Sequence, residues 1–298
     1  SQDTMAINQS SIEKAHSYFK LGQKKLKKPL FDFNRETRLE EAAESFERAA
    51  NLYKSVKQWE LAGDAFRMAG EAMVGASSGA LAIRQFVNSS HCFSKCKPDD
   101  ASKSMQMAIQ LAQNEGRFVQ AGKLLQELGK TLEEGGHVDM AVDKYNEAIE
   151  VLQDEEKTTT DVRNLRLQIC EILTGQGKYT EPSQLYEAVG IECTKTPLLR
   201  FHAREYLLRA VLCMLADNRV EDAQNKYEVF LGMDPNLPGT PESELGAQLL
   251  AAVVESDIDE FEKAVSVYSD RRRLDQWQGA ILMHIKGVME DEGDEGVC

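Results

Sequence analysis

Apolar residues recur at three- and four-residue steps along most of the chain, which is the pattern of helices with one buried face. Between residues 101 and 152, polar and glycine residues interrupt this pattern at 114–116 and again at 134–136, so it predicts two helices and the start of a third. A small residue recurs near the start of successive predicted helices, at steps of about twenty residues: Ala42, Ala62, Ala82, Ala101, Ala121 and Ala141. A helix at every such step corresponds to a two-helix unit about every forty residues.

This repeat predicts the fold class. An amphipathic helix pair cannot bury its apolar face alone, so neighbouring pairs must stack. We therefore predict an all-α protein: a right-handed superhelical solenoid of antiparallel, tetratricopeptide-like (TPR-like) helix hairpins over residues 1–240. The proline-rich segment 234–241 is the strongest break, and it predicts that a C-terminal helical bundle follows at 241–289. Residues 290–298 carry five carboxylates and no base, which predicts a solvated acidic tail.

The charge balance argues against one class of function. The chain has 49 acidic and 35 basic residues and a net charge of -14, whereas general nucleic-acid binding needs clustered Lys and Arg. Its 6 cysteines are spread without short framework spacings, and we find no signal peptide and no membrane-spanning run. These features predict a cytoplasmic protein whose thiols are reduced and buried.

Motifs for catalysis or metal binding are weak. Cys92 and Cys96 would share a helix face beside His91, but no second ligand pair follows at zinc-site spacing. Segment 175–178, Gly-Gln-Gly-Lys, resembles a fragment of a phosphate loop, yet it lacks the full spacing and lies between predicted helices. We therefore predict no catalytic residue, no metal site and no cofactor, and we expect the chain not to be an enzyme.

Basic residues recur along the predicted repeats, and several lie near the starts of helices about forty residues apart. In a stack of hairpins, one helix of each pair lines the inner wall, where such residues would form a basic stripe. A stripe suits an acidic, elongated partner such as a coiled coil, whereas the alternative is scattered solubilising charge. The candidates are Lys57, Lys95, Arg117, Lys123, Arg163, Arg166, Arg200 and Arg204.

A short apolar loop is predicted at 28–36, where Leu30, Phe31 and Phe33 follow four lysines. Apolar loop residues often form a small core beneath the loop. The alternative is contact with an anionic membrane surface, where the rings enter the interface and the lysines meet the headgroups.

Several segments of the chain resemble the alpha-SNAP (soluble NSF attachment protein) family. The likeness covers roughly residues 10–298, in order and with near-constant spacing. The segments that carry it are EAAESFERAANLYK at 41–54, WELAGDAF at 59–66, GRF at 116–118, AVDKY at 141–145, PLLR at 197–200, AREY at 203–206, RLDQW at 273–277 and ILMHIK at 281–286.

The resemblance implies an adaptor function. It implies that the chain binds the assembled SNARE four-helix bundle, recruits the ATPase NSF, an AAA+ enzyme, and stimulates disassembly of the bundle in vesicle trafficking. It also implies that the concave face meets the acidic bundle, with Arg117, Lys123 and Arg204 at contact positions of the family. At the next contact position, where the family usually has lysine, this chain has Asn164, so we expect Arg163 or Arg166 to supply the charge.

Two further contacts follow from the resemblance. The family's membrane-touching loop corresponds in place to Leu30, Phe31 and Phe33, which implies a peripheral location on membranes. Contact with NSF in the family uses acidic residues and an apolar residue next to the C-terminus. The matching positions are Asp217, Glu255, Asp291, Glu292, Asp294, Glu295 and Val297.

Other functions are less consistent with the sequence. A generic TPR-like scaffold for protein–protein interaction would need a carboxylate clamp and the Trp-Leu-Gly-Tyr consensus spacing, and we find neither. An enzyme built on helical repeats would need a cluster of polar residues in a pocket. Within the family, the run at 273–277 argues against the gamma type and leaves alpha and beta open.

Overall fold

The computed structural model describes residues 2–27, 34–233 and 235–295, and its side-chain description covers 8–27, 34–155, 157–233 and 235–291. Over these residues the chain forms α-helices, one 3-10 turn at Glu156–Thr158 and no strand. The helices are α1 (Gln2–Leu26), α2 (Arg35–Ser55), α3 (Trp59–Gly75), α4 (Gly79–Phe93), α5 (Pro98–Asn114), α6 (Phe118–Glu134), α7 (Val138–Leu152), α8 (Thr159–Gly175), α9 (Thr180–Lys195), α10 (Arg200–Ala216), α11 (Val220–Met233), α12 (Pro241–Glu255), α13 (Ile258–Arg271) and α14 (Gln276–Glu295). The predicted all-α class is confirmed.

Helices α3 to α11 begin at regular steps of 19 to 21 residues, which confirms the repeat. The fourth residue of most of these helices is a buried alanine, and because its side chain ends at Cβ, a neighbouring helix can approach closely. The step from Ala82 to Ala101 is 19 residues rather than the 20 of its neighbours. The fourth-position alanines are Ala62, Ala82, Ala101, Ala121, Ala141, Ala203 and Ala223.

Most turns between these helices close in the same way. A residue in the left-handed region, with φ between 54 and 80°, lies two or three residues before the next helix. The N–H of the residue after it donates to the carbonyl oxygen five residues earlier, as from Gln58 to Tyr53 at 2.9 Å and from Arg117 to Ala112 at 2.8 Å. This Schellman geometry ends one helix and starts the next. The left-handed residues are Lys57, Ser77, Gly116, Gly136, Gly177 and Asn218.

Within each of the two units that the chain forms, polar contacts between residues 36 to 39 apart join several helices to the next but one. In the first part of the chain, Arg84 of α4 reaches Glu47 of α2, and His91 of α4 reaches Glu127 of α6. Later in the chain, Lys226 of α11 bonds Glu187 of α9 at 2.6 Å. Alternate helices therefore lie side by side, which is the packing that stacked antiparallel hairpins require.

The chain divides into two compact units, Ser1–Thr159 and Thr160–Cys298. The first has a core rich in alanine and aromatic residues, including Phe46, Phe66 and Phe86. In the second, buried residues of α10 to α14 form one continuous cluster. The proline-rich segment 234–241, at which the sequence analysis divided the chain, therefore lies inside the second unit.

The last helix is longer than predicted. It continues to Glu295, so residues 290–295 are helical instead of forming the start of a tail. No glycine or proline follows Met289 until Gly293, so the sequence contains no early stop signal. Lys286 forms an i,i+4 ion pair with Glu290 at 3.4 Å, which supports the added turn.

Candidate functional site

Arg117 and Lys123 line one open groove of about 530 Å³ at the start of α6, here called the Lys123 groove. Arg117 precedes the helix and donates from Nε to Glu115 at 2.9 Å. Lys123 is exposed and forms no ion pair with the part of the chain that the structure describes. The other lining residues are Gly116, Phe118, Val119, Gln120, Leu124, Glu127 and Glu155.

The Lys123 groove combines positive charge with exposed apolar surface. The Phe118 side chain is 46% exposed, and Val119 beside it is also exposed. Glu127 also lines the groove, and its hydrogen bond with His91 Nε2 at 2.6 Å lowers the pKa of Glu127, so this carboxylate stays ionised and is held by the histidine ring. An exposed ring next to an unpaired cation is suited to a partner surface that carries both apolar and acidic side chains.

Lys57 and Lys95 lie elsewhere in the same unit. Lys57 is in the turn after α2, and Lys95 is in the turn after α4, so both lie where even-numbered helices end. Lys123 lies near the start of an even-numbered helix, and a helix of this length spans about 25 Å. The four basic residues predicted in the first unit therefore occupy two edges of the α2–α4–α6 layer rather than one cluster.

Arg163 and Arg166 in α8 both pair with Glu192 of α9. Arg163 Nη1 lies 2.8 Å from one oxygen of Glu192, and Arg166 Nη1 lies 3.7 Å from the other. The Arg163 side chain is only 14% exposed. The charge expected to replace the family's lysine at Asn164 is thus engaged inside the unit, while Asn164 itself is exposed.

Arg200 and Arg204 lie in the first turns of α10. The Arg204 guanidinium stacks on the ring of Phe201 at 4.1 Å and lies 3.9 Å from the buried carboxylate of Glu242. Arg272 approaches the same ring at 5.4 Å. Arg200 is exposed and donates from Nε to the Thr194 carbonyl oxygen at 3.4 Å.

Two apolar residues at this end of α10 were missed by the sequence analysis. Leu198 is 91% exposed and Phe201 is 54% exposed. A helical apolar pattern does not tell which residues are buried, so their exposure had no direct signal in the sequence. Their position next to Arg200 and Arg204 was the available clue.

The acidic candidates differ in how accessible they are. Asp217, at the end of α10, accepts hydrogen bonds from Thr180 Oγ1 at 2.7 Å and from Arg219 Nε at 3.0 Å. Glu255 at the end of α12 and Asp291 in α14 are exposed. The side chains of the remaining acidic candidates, all of Val297 and the whole apolar loop lie outside the described residues: Glu292, Asp294, Glu295, Val297, Leu30, Phe31 and Phe33.

The cysteine and histidine candidates belong to packing and surface contacts. Cys92 is buried, and burial raises the pKa of its thiol, while Cys96 is exposed. Within the described ranges, no three His, Cys, Asp or Glu side chains are grouped as metal ligands would be. In that same part of the chain, no helix is both long enough and apolar enough to cross a bilayer.

Comparison with known proteins identifies the family. Residues 13–290 match the family described as "Soluble NSF attachment protein, SNAP". The mouse alpha-soluble NSF attachment protein is 30% identical over 266 residues, covering 88% of each chain. The grapevine alpha-soluble NSF attachment protein is 27% identical over 85% of this chain and 88% of its own. The bovine beta-soluble NSF attachment protein is also 27% identical, over 97% of this chain and 94% of its own. The chain therefore belongs to the soluble NSF attachment protein family.

Proposed function

We propose that this chain is an adaptor that binds assembled SNARE four-helix bundles, recruits an NSF-type AAA+ ATPase and stimulates disassembly of the bundle in vesicle trafficking. The chain itself catalyses no reaction, since the ATPase supplies the energy. Family membership supports the attachment to NSF, and a fission yeast relative, 28% identical over 257 residues, is named a probable vesicular-fusion protein.

The observation that carries the SNARE-binding half is the Lys123 groove. Its unpaired cation lies beside the exposed Phe118 ring, and an acidic helical bundle offers carboxylates with apolar side chains between them. The exposed Leu198 and Phe201 next to Arg200 give the second unit a surface of the same chemistry. Arg163 and Arg166 contribute less, because both pair with Glu192, which compensates one of their two positive charges.

The NSF-binding half rests on carboxylates of the second unit. Glu255 and Asp291 are exposed, and neither has an ion pair with the described residues, so both are available to a basic partner. The tail residues Glu292, Asp294 and Glu295 add charge, and Val297 provides the apolar contact. Asp217 contributes less to NSF binding, since its carboxylate already accepts hydrogen bonds from Arg219 and Thr180.

Membrane contact is proposed for Leu30, Phe31 and Phe33. Four lysines precede these three apolar residues, a combination that binds an anionic bilayer surface through ring insertion and headgroup attraction. One loop of this size gives weak, reversible binding. It would place the adaptor on the membrane where SNARE bundles reside.

Binding measurements with charge-reversal variants test the proposal. Lys123→Glu should weaken binding to a soluble SNARE bundle by about tenfold or more, which corresponds to about 1.4 kcal/mol. Lys103→Gln is the control for position, because Lys103 is exposed on α5, in the other helix layer of the same unit, and its ion pair with Asp100 lies within that helix. Arg163→Glu is a poor test, because it would set a second carboxylate against Glu192 inside the unit.

A deletion separates the two halves of the proposal. Removal of residues 296–298 should leave SNARE-bundle binding unchanged and abolish stimulation of the NSF ATPase. Equal binding by wild type and Lys123→Glu would refute the SNARE-binding surface. Full ATPase stimulation by the deletion variant would refute the assignment of Val297.

A further inference from the structure

Arg84 in α4 occupies the same helical position as Lys123 in α6. Each is the sixth residue of its helix, and the two residues are separated by one two-helix repeat. Both side chains are exposed, that of Arg84 by 55%. Because repeat units present equivalent positions on the same side of the stack, the two cations project from the same face.

Two contacts establish that α2, α4 and α6 lie side by side within the first unit. Arg84 Nη2 of α4 lies 3.3 Å from Glu47 Oε1 of α2, and His91 of α4 lies 2.6 Å from Glu127 of α6. Neighbouring helix axes pack about 8–10 Å apart, so Arg84 and Lys123 are about one helix diameter apart on this layer. A single elongated partner can contact both.

Each of these cations has an exposed apolar residue one turn before it. Leu81 precedes Arg84 by three residues, and Val119 precedes Lys123 by four, so each pair shares a helix face. The same pairing of an apolar and a basic residue occurs on α10, as Phe201 and Arg204. The aliphatic–basic pair of the Lys123 groove, Val119 with Lys123, therefore has a counterpart one repeat earlier, at Leu81 and Arg84, here called the Arg84 patch.

The contact that holds Arg84 in the free protein is easily exchanged. Its two N–O distances to Glu47 are 3.3 and 3.5 Å, at the long end for a charged hydrogen bond, and the pair is exposed to solvent. Exposed ion pairs contribute little to stability, so a partner's carboxylate can replace Glu47 at small cost. Glu47 would then compete with the partner for the guanidinium.

We propose that the Arg84 patch extends the partner-binding surface of the Lys123 groove by one repeat, with an acidic helical bundle as the occupant and Glu47 as an internal competitor. This inference rests on the proposed function. Charge complementarity and the repeat of the apolar–basic pair select an acidic helical partner over an anionic lipid surface, which would have no need of apolar contacts spaced along a layer of helices.

Equilibrium binding to a soluble SNARE bundle tests the inference with opposing changes. Arg84→Gln removes the cation and should weaken binding three- to tenfold. Glu47→Gln removes the competitor and keeps the side-chain shape, so it should tighten binding two- to fivefold. The double variant should bind like Arg84→Gln, since without the guanidinium there is nothing for Glu47 to withhold.

Controls separate this inference from the proposed function. Lys103→Gln, in the other helix layer, should bind like wild type, and thermal unfolding of every variant should match wild type within a few degrees. Arg84→Gln binding within twofold of wild type, or weaker binding by Glu47→Gln, would overturn the role of the Arg84 patch. If Arg84→Gln binds like wild type but Lys123→Glu loses binding, the proposed function stands and only the Arg84 patch is ruled out. Unchanged binding by Lys123→Glu would count against both the proposed function and the Arg84 patch.

Discussion

Gln85 offers a direct stability test of the first unit. Its side chain is fully buried in α4, and neither its amide nitrogen nor its amide oxygen has a hydrogen-bond partner in the described part of the chain. Ser89, one turn later on the same face, is also fully buried, but its hydroxyl donates to the Gly63 carbonyl oxygen at 2.8 Å and lies 3.1 Å from Ser104 Oγ. Replacing Gln85 by an apolar residue should therefore raise the free energy of unfolding, whereas replacing Ser89 by alanine should lower it.

The expected change in the free energy of unfolding depends on whether the buried polar group has a hydrogen-bond partner. Burial of an amide without partners costs about 1–3 kcal/mol by protein mutational data, so Gln85→Met, which is similar in length and apolar, should stabilise the unit by about that amount. Each kcal/mol shifts Tm by about 2–4 °C in a unit of this size, which predicts a rise of about 2–12 °C. Ser89→Ala should destabilise by about 1–3 kcal/mol, because it removes the hydrogen bond to Gly63 and takes the Ser89 partner away from the buried Ser104 hydroxyl.

Denaturant unfolding of the two variants and of wild type measures both effects. The midpoint should rise for Gln85→Met and fall for Ser89→Ala, with an unchanged slope, since the surface exposed on unfolding is nearly the same. Destabilisation by Gln85→Met would mean that the amide is hydrogen-bonded in solution and that its burial carries no such cost. Gln85→Ala adds a control, because it removes the amide but leaves a cavity.

Three further predictions concern packing, backbone and thiols. Gly63→Ala would place a Cβ 2.8 Å from the Phe93 ring, so it should cost about 1–3 kcal/mol of unfolding free energy, whereas Gly232→Ala, with open space around it, should not destabilise. Lys57→Gly replaces a residue at φ 60°, so it should keep or raise the unfolding midpoint, and a lower midpoint would contradict the turn geometry. Iodoacetamide at pH 8 should label exposed Cys96 first among the described cysteines, as read by peptide mass spectrometry. Burial raises the thiol pKa of the other four, which should label only on unfolding: Cys92, Cys170, Cys193 and Cys213.

The helical repeat could be predicted because it depends on residue types that recur at fixed spacing along the sequence. A buried alanine at the fourth position recurs with the helices, and glycines mark the turns at Gly116, Gly136 and Gly177. The equivalent turns at Lys57 and Ser77 have no such signal, because their left-handed conformation is imposed by the helices on either side. The helical start of the acidic segment was missed because charge alone does not end a helix.

The ion pairing and solvent exposure of the site residues could not be predicted from the sequence. Whether Arg163 is free depends on Glu192, 29 residues away, and whether Arg84 faces the same side as Lys123 depends on the stacking of alternate helices. The pattern of Phe201 is that of a buried residue, yet the structure exposes it between Arg204 and Arg272. Periodicity identifies a helix face, while the neighbour on that face is set by tertiary packing.

The rate at which NSF disassembles a fluorescently labelled SNARE bundle in the presence of ATP measures the adaptor function itself. Disassembly should be fast when the wild-type chain is added, and this acceleration should be lost both with Lys123→Glu and with the chain that lacks residues 296–298. Equal rates with and without the chain, or full acceleration by both variants, would contradict the claim that it joins the bundle to the ATPase.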